Sequence, residues 1–381
     1  MLYLDYAAST PIRPEALKVL ESSFKNDFAN PSSAHKLGKT LYRKIESCRR
    51  QFLEFLGAGQ DDLFIFTSSA TESNNMLIEG LKIKEGDTVI YSSADHPSVT
   101  GPIEELKKRG IETRELPLEE DGQLNDDLFL EGLKSKDKLV ILTHVNNQSG
   151  MIIDICALSL KIKEINPKIH IHVDAAQSFG KIPFSLKEGK IDSISISSHK
   201  LGGPKGIAGL YLHSKVTISP FLVGGGQEKG LRSSTQAAPL IFSFCEASKI
   251  AYKNVDFSLK QVSKINQLAR ENLTRQLSNI RFPFSPHGSP YILTFILTGL
   301  ASDILLRHLE EEGIFISSTA ACSSKVKGIN PVYTALNIPE NEHKSVLRVS
   351  LSEDVSDQDI KLFCDTFVSI YKKLEIYIKG V

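Results

Sequence analysis

Polar and apolar positions along the chain fall into two rhythms. Short, extended-favouring runs at 63–67, 88–92, 112–116, 139–145, 169–173 and 191–196 predict strands. Stretches with apolar residues three and four apart predict helices over 14–24, 36–56, 71–81 and 99–109, with further helical patterns between the later strands. Strands alternating with helices imply a mainly parallel sheet covered on both faces, an α/β fold. The rhythm changes near Gly224-Gly225-Gly226, and after Pro239 one long helical stretch runs to about residue 277. The tail then reads strand (291–297), helix (302–312), strand (314–317), a cysteine-bearing loop, a short helix, strand (346–351) and a last helix (356–374). This predicts a large α/β domain over 15–254 and a small α+β domain over 255–381 that residues 1–14 join.

Composition narrows the class without naming it. The 381 residues are enough for two or three domains, and 45 basic residues balance 45 acidic ones. Such balance gives no electrostatic case for direct nucleic-acid binding or for an anionic membrane. The start, Met1-Leu2-Tyr3-Leu4-Asp5-Tyr6, has no basic segment leading an apolar core, and no run approaches the roughly 20 apolar residues of a membrane span. The five cysteines (Cys48, Cys156, Cys245, Cys322, Cys364) are odd in number and scattered, with neither disulfide-framework nor metal-site spacing. The expectation is a soluble cytoplasmic protein with reduced thiols, no metal and no membrane contact.

Four stretches carry chemistry. Ser197-Ser198-His199-Lys200-Leu201-Gly202-Gly203-Pro204 follows the strand at 191–196, where Ser193 and Ser195 alternate with apolar residues. It presents one amine at a strand end, where open α/β sheets gather ligands, and an amine held away from solvent can attack a carbonyl. His170-Ile171-His172-Val173-Asp174 puts an acid at the neighbouring strand end, either as a turn former or as a fixed negative charge for a protonated ring nitrogen. Asp95-His96-Pro97 follows another strand, and there an imidazole can stack on a ring and move protons near neutral pH. Ser68-Ser69-Ala70-Thr71-Glu72 opens a helix, with Ser69 and Glu72 spaced as a capping box and free amides suited to a phosphate. In the small domain, Ser317-Ser318-Thr319-Ala320-Ala321-Cys322-Ser323-Ser324-Lys325 sets a cysteine among small residues, with Lys325 and Lys327 nearby to favour its thiolate.

Taken together, these motifs resemble the cysteine desulfurases of the NifS and IscS type, within the class-V aminotransferase group of fold-type I pyridoxal-phosphate enzymes. The resemblance rests on Asp-Tyr-Ala-Ala-Ser-Thr-Pro, Asn-Pro-Ser-Ser-Ala-His, Ala-Thr-Glu-Ser-Asn-Asn, Val-Asn-Asn, His-Val-Asp-Ala-Ala-Gln, Ser-Ser-His-Lys, Gly-Gly-Gly-Gln-Glu and Ala-Cys-Ser-Ser, in that order from Leu4 to about Leu351. It implies that Lys200 carries pyridoxal 5'-phosphate covalently, that Asp174 pairs with its ring nitrogen, that Gln177 bonds its phenolic oxygen and that His96 stacks on the ring. It also implies that Ala70, Thr71, Ser197 and His199 hold the phosphate, with Thr235 reaching across a homodimer. Asn147 lies beside cofactor and substrate, Arg348 binds the substrate carboxylate, and Cys322 takes sulfur from L-cysteine as a persulfide. The sulfur acceptor would be a scaffold for iron–sulfur cluster assembly or a tRNA-thiolation enzyme; Cys322-Ser323-Ser324-Lys325 is similar to loops of the latter group. The chain departs from the usual family pattern at Thr319, Ala320, Gln148-Ser149, Ser234 and Gln236-Ala237. The competing expectations are a selenocysteine lyase or aminotransferase of the same fold, or a weakly catalytic scaffold for a sulfur carrier.

Overall fold

The computed structural model describes residues 1–318 and 330–378. The first elements are β1 (Leu2–Tyr3), α1 (Pro14–Asn26) and α2 (Lys36–Leu56), followed by β2 (Leu63–Thr67), α3 (Ala70–Gly80), β3 (Thr88–Tyr91), α4 (Pro97–Lys108) and β4 (Glu112–Glu115). Next come α5 (Asp126–Glu131), β5 (Asp137–Thr143), α6 (Ile155–Ile165), β6 (His170–Asp174), β7 (Ser193–Ser197) and β8 (Ala208–Leu212). The long α7 (Ala238–Gln276) leads to β9 (Ile280–Arg281), β10 (Ile292–Leu297), α8 (Ser302–Glu311) and β11 (Ile314–Phe315). After the cysteine stretch come α9 (Pro331–Ala335), β12 (Val346–Ser350) and α10 (Asp357–Ile378).

A seven-stranded sheet, ordered β2-β8-β7-β6-β5-β3-β4, forms the centre of the large unit. Its strands pair in parallel except at β8, which runs antiparallel to both β2 and β7. β8 was not read from the sequence because Gly209 interrupts its apolar run. The structure requires a glycine there, since a Cβ would sit 2.1 Å from the Phe64 ring. The parallel strands β2, β3, β5, β6 and β7 send every proposed cofactor group except Thr235 to their carboxyl ends, as the switch-point rule for open sheets expects.

α7 runs unbroken through residue 254. Its first half (Ala238, Ile241, Phe244, Ala251) packs into the core of the large sheet, and its second half (Val262, Ile265, Ala269, Leu273) into a separate core with Leu293, Phe295, Phe363 and Phe367. Leu4 belongs to that second core, and β1 pairs with β11. One 39-residue helix therefore serves as the shared spine of both units.

Residues 5–13 cross between the units. Ala7 N–H donates to Ser350 Oγ (2.9 Å) on the small sheet, while Thr10 N–H donates to the His199 carbonyl (2.9 Å) and Arg13 N–H to that of Gly202 (2.8 Å). Arg13 closes the crossing with an ion pair to Glu353 at 2.6 Å.

Candidate active site

The amine at the end of β7 is held by backbone, not by an acid. Lys200 Nζ donates to the carbonyls of Ala7 (2.6 Å) and Ala8 (2.8 Å) in the crossing segment. Burial pushes its ammonium down to about 8; the Arg348 charge adds to this, and Asp5 and Asp174 oppose it. These carbonyl partners carry no side-chain signature, so the sequence reading missed them, although the Asp-Tyr-Ala-Ala motif lay over them. Asp174 ends the adjacent β6, six per cent exposed, with Asn74 Nδ2 donating to its Oδ2 at 2.8 Å and Ala176 N–H to its Oδ1 at 2.9 Å. The acid shapes the turn, and it places a buried carboxylate beside the lysine strand.

His96 caps α4. Its Nδ1 accepts from Ser98 N–H (3.1 Å), which leaves an exposed ring over the strand ends. Partial burial holds its imidazolium below the ordinary range, against the pull of Asp174 and with the push of Lys200. Beneath it, Asp95 is buried and accepts from Thr143 Oγ1 (2.6 Å) and Ser92 N–H (2.9 Å); burial raises its carboxyl to about 7.

At the mouth of α3, Ser69 Oγ accepts from Glu72 N–H (3.1 Å), but the other half of the expected capping box is not formed. Glu72 instead takes the N–H of Ser68 (2.8 Å) and pairs with Arg232 (2.7 Å), since a distant cation outcompetes the neutral amide of Ser69. The first amides of the helix, at Ala70 and Thr71, are left without helical partners by geometry. Ser197 is buried at the end of β7, the next residue's Ser198 Oγ is a buried orphan, and His199 Nδ1 meets Ser9 Oγ at 3.2 Å with its imidazolium pushed down to about 4 by burial. Gln177 spends one amide N–H on the Ala7 carbonyl (2.8 Å), which leaves its second for a ligand oxygen.

Thr235 is exposed, at the end of a segment pinned by a buried ion pair. Arg49 Nη1 donates to Glu228 Oε2 at 2.7 Å and Nη2 to Oε1 at 3.0 Å, and Phe66 N–H also donates to Glu228 (2.9 Å). Glu228 and Lys229 both adopt positive φ there (48° and 57°), strain that this pairing offsets. The partners stand 179 positions apart, so nothing local announced them.

On the small-unit side, Arg348 is five per cent exposed. Its Nη1 donates to the Asn147 carbonyl (2.8 Å), its Nη2 pairs with Asp5 (2.9 Å), and its Nε–H has no partner among the described residues. The departing residues Gln148 and Ser149 sit comfortably: both amides donate to Asn146 Oδ1 (2.9 and 3.0 Å), and Asn146 Nδ2 donates to the Ala94 carbonyl (3.0 Å). Ser317 exchanges backbone bonds with Arg348 (3.0 and 2.8 Å). The expectations for Cys322, Thr319, Ala320, Lys325 and Lys327 lie outside the described residues.

Behind Lys200, a cavity of about 540 Å³ opens between the two cores, lined among others by Arg13, Lys181, Tyr291 and Glu353. Lys181 is a second buried amine, 5.4 Å above the Tyr291 ring, with its ammonium pushed down by burial to about 7. Lys200 also lines this cavity, but Asp174 and His96 do not, and their strand ends lie on the crevice side, so the two amines are not equivalent.

The donor set of the crevice fits pyridoxal phosphate: an amine for its aldehyde, a buried carboxylate for its ring nitrogen, an open imidazole for its face, and helix amides with hydroxyls for its phosphate. The chain matches the Aminotransferase class-V family over residues 2–363. It is 32% identical to the cysteine desulfurase IscS of Dictyoglomus turgidum, over 98% of this chain and 95% of that protein. Among solved structures it resembles a NifS-like protein (26% identity, TM-score 0.90, 97% and 99% of the two chains) and SspA in complex with cysteine (28%, TM-score 0.79, 92% and 99%). A lysine and an aspartate at neighbouring strand ends, within a match that spans nearly every residue, lead to one assignment: the chain belongs to the class-V aminotransferase family, in the group that contains the NifS and IscS cysteine desulfurases.

Proposed function

We propose that the chain is a pyridoxal-phosphate-dependent cysteine desulfurase that converts L-cysteine to L-alanine and leaves the sulfur as a persulfide on Cys322. The observation that carries this reading is Lys200, a half-buried amine held by the Ala7 and Ala8 carbonyls at a strand end, beside the buried Asp174 carboxylate on the neighbouring strand. Similarity to a named desulfurase and to a neighbour solved with cysteine supports the substrate.

The bound cofactor supplies an electron sink for the pair released at the substrate Cα. Lys200 holds the cofactor and, once displaced by the substrate amine, takes the Cα proton on Nζ. Asp174, locked by Asn74 and Ala176, keeps a negative charge at the ring-nitrogen end. Arg348 and Asn147 orient the substrate carboxylate; two of the five guanidinium N–H groups are spent on Asn147 and Asp5, and among the described residues Nε–H has no partner. The Cys322 thiolate attacks the substrate sulfur. A sulfur–sulfur bond forms, the carbon–sulfur bond breaks, and its electron pair stays on the substrate Cβ, which is then protonated.

The same reading gives a homodimer in which Thr235 completes the partner's phosphate site, the Arg49–Glu228 pair holding the presenting loop. It gives an acceptor protein for the sulfur, an iron–sulfur scaffold or a tRNA-thiolation enzyme, and a cytoplasmic setting. Cys48, Cys156, Cys245 and Cys364 are free thiols, and among the described residues no helix is long and apolar enough to cross a membrane. Purified protein given L-cysteine and a reducing thiol should release alanine and sulfide in equal amounts. Pyruvate release without alanine, or amino transfer without sulfide, would replace this reading with a lyase or an aminotransferase.

A further inference from the structure

Behind Asp174 runs a line of buried polar side chains that the reaction above does not use. Asn74 on α3 and His172 on β6 are fully buried, Ser98 on α4 nearly so. Asn74 Nδ2 donates to Asp174 Oδ2 (2.8 Å) and to Ser98 Oγ (2.9 Å). A carboxylate only accepts, so this end of the amide must be the NH₂, and both of its hydrogens are spent. Asn74 Oδ1 therefore faces His172 Nε2 (3.0 Å) as an acceptor, and the His172 proton must sit on Nε2. His172 Nδ1 is left to accept from Ser193 Oγ (2.9 Å), whose oxygen in turn accepts from His170 Nε2 (2.7 Å). On the other side, Ser98 Oγ accepts from Asn74 and lies 2.9 Å from His96 Nδ1, which the Ser98 backbone N–H (3.1 Å) already requires to be an acceptor, so the His96 proton sits on Nε2 independently of Asn74.

We propose that Asn74, held in one orientation by the Nε2–H of His172, is a positioning residue that sets the Asp174 carboxylate. The inference rests on the function proposed above. A turn of the Asn74 amide through half a circle would set Oδ1 against the Asp174 carboxylate, acceptor against acceptor. The donor at His172 opposes that turn. Ser195 Oγ, 3.3 Å from the same nitrogen, shares its hydrogen without supplying another. Burial pushes the His172 imidazolium down to about 3, so the ring stays neutral and the direction of the chain does not reverse near neutral pH. The titratable groups facing Asp174 are Lys200, Asp95 and His96, and none of them bonds Asn74.

Two measurements test this. In wild-type apo-protein labelled with ¹⁵N-histidine, long-range proton–nitrogen NMR should find His172 protonated on Nε2 and bare on Nδ1; an Nδ1–H ring overturns the inference. In the second, apo-protein is titrated with pyridoxal phosphate and the absorbance of the bound cofactor is followed against pH. His172→Phe should bind about tenfold more weakly, the worth of one buried charge-assisted bond, with a shifted titration midpoint and a lower kcat at unchanged KM for cysteine. His172→Gln, which keeps an N–H near the Nε2 position, should recover most of the affinity and the wild-type midpoint. His172→Phe with wild-type affinity and midpoint would overturn the inference alone. Wild-type protein that takes up no pyridoxal phosphate would overturn the proposed function, and this inference with it.

Discussion

Asp174 and Arg348 are both buried charges at the crevice, six and five per cent exposed, yet they are held in different ways. Asp174 belongs to a side-chain network (Asn74, Ser98, His96, His172) that stays within the large unit, on β3-to-β7 strand ends and the helices beside them. Arg348 is held by three separate stretches: the N-terminal crossing through Asp5, the loop after β5 through Asn147, and Ser317 next to the cysteine stretch. The Asp174 charge is thus fixed by one core, whereas the Arg348 charge, like the Lys200 amine on the Ala7 and Ala8 carbonyls, depends on the crossing segment as well. Chemistry that needs an unmoving charge sits on the first; recognition and sulfur delivery sit on the second.

Substitutions should separate the cofactor half of the crevice from the substrate half. The largest effect is expected at Lys200→Ala, which removes both the cofactor attachment and the proton acceptor and should cut turnover by about 10,000-fold or more. Borohydride reduction of wild-type enzyme followed by peptide mapping should find the pyridoxyl label on Lys200; a label on Lys181 would move the site into the cavity behind it. Asp174→Asn keeps the shape and removes the charge, and kcat should fall roughly 100- to 1,000-fold with KM little changed. Arg348→Lys loses the two-pronged geometry for a carboxylate, so KM for cysteine should rise about 10- to 100-fold while the cofactor spectrum stays as in wild type. A spectrum that changed would show that the halves are not independent.

The smallest effects should appear at the seam and in pH. Ser350→Ala deletes the acceptor for Ala7 N–H and should cost about 1 kcal/mol in stability, read as a lower Tm, with cofactor affinity hardly altered. Only the neutral amine attacks an aldehyde, and the Lys200 ammonium is pushed down to about 8. The rate of pyridoxal-phosphate uptake by apo-protein should therefore rise with pH and level off above about 8, not near the 10.4 of a free lysine. The sign follows from burial, which disfavours the charged form.

The cofactor half was the more legible in sequence, for a physical reason. Parallel strands buried on both faces read as apolar runs, and a charge where such a run ends can be placed without knowing its partners, as with Asp174 and Lys200. The alternation of Ser193 and Ser195 with apolar residues suits a buried strand, and both are fully buried; their bonds to histidines are what only the packing of β6 beside β7 reveals. The carbonyls of Ala7 and Ala8 were invisible because every residue has one. Glu72 and Glu228 were claimed by arginines 160 and 179 positions away, so local capping rules misread the first and offered nothing for the second. β8 was hidden by the glycine that its neighbour Phe64 demands.

Sulfur transfer to Cys322 is the account's central claim, and it can be read directly. Enzyme loaded with pyridoxal phosphate is mixed with L-cysteine in the absence of any reducing thiol, quenched and digested, and each cysteine peptide is weighed. The account predicts the mass of one added sulfur on the Cys322 peptide, in step with alanine release, and none on Cys48, Cys156, Cys245 or Cys364. Alanine formed while the Cys322 peptide stays unmodified, or sulfur found on one of the other four, would contradict it.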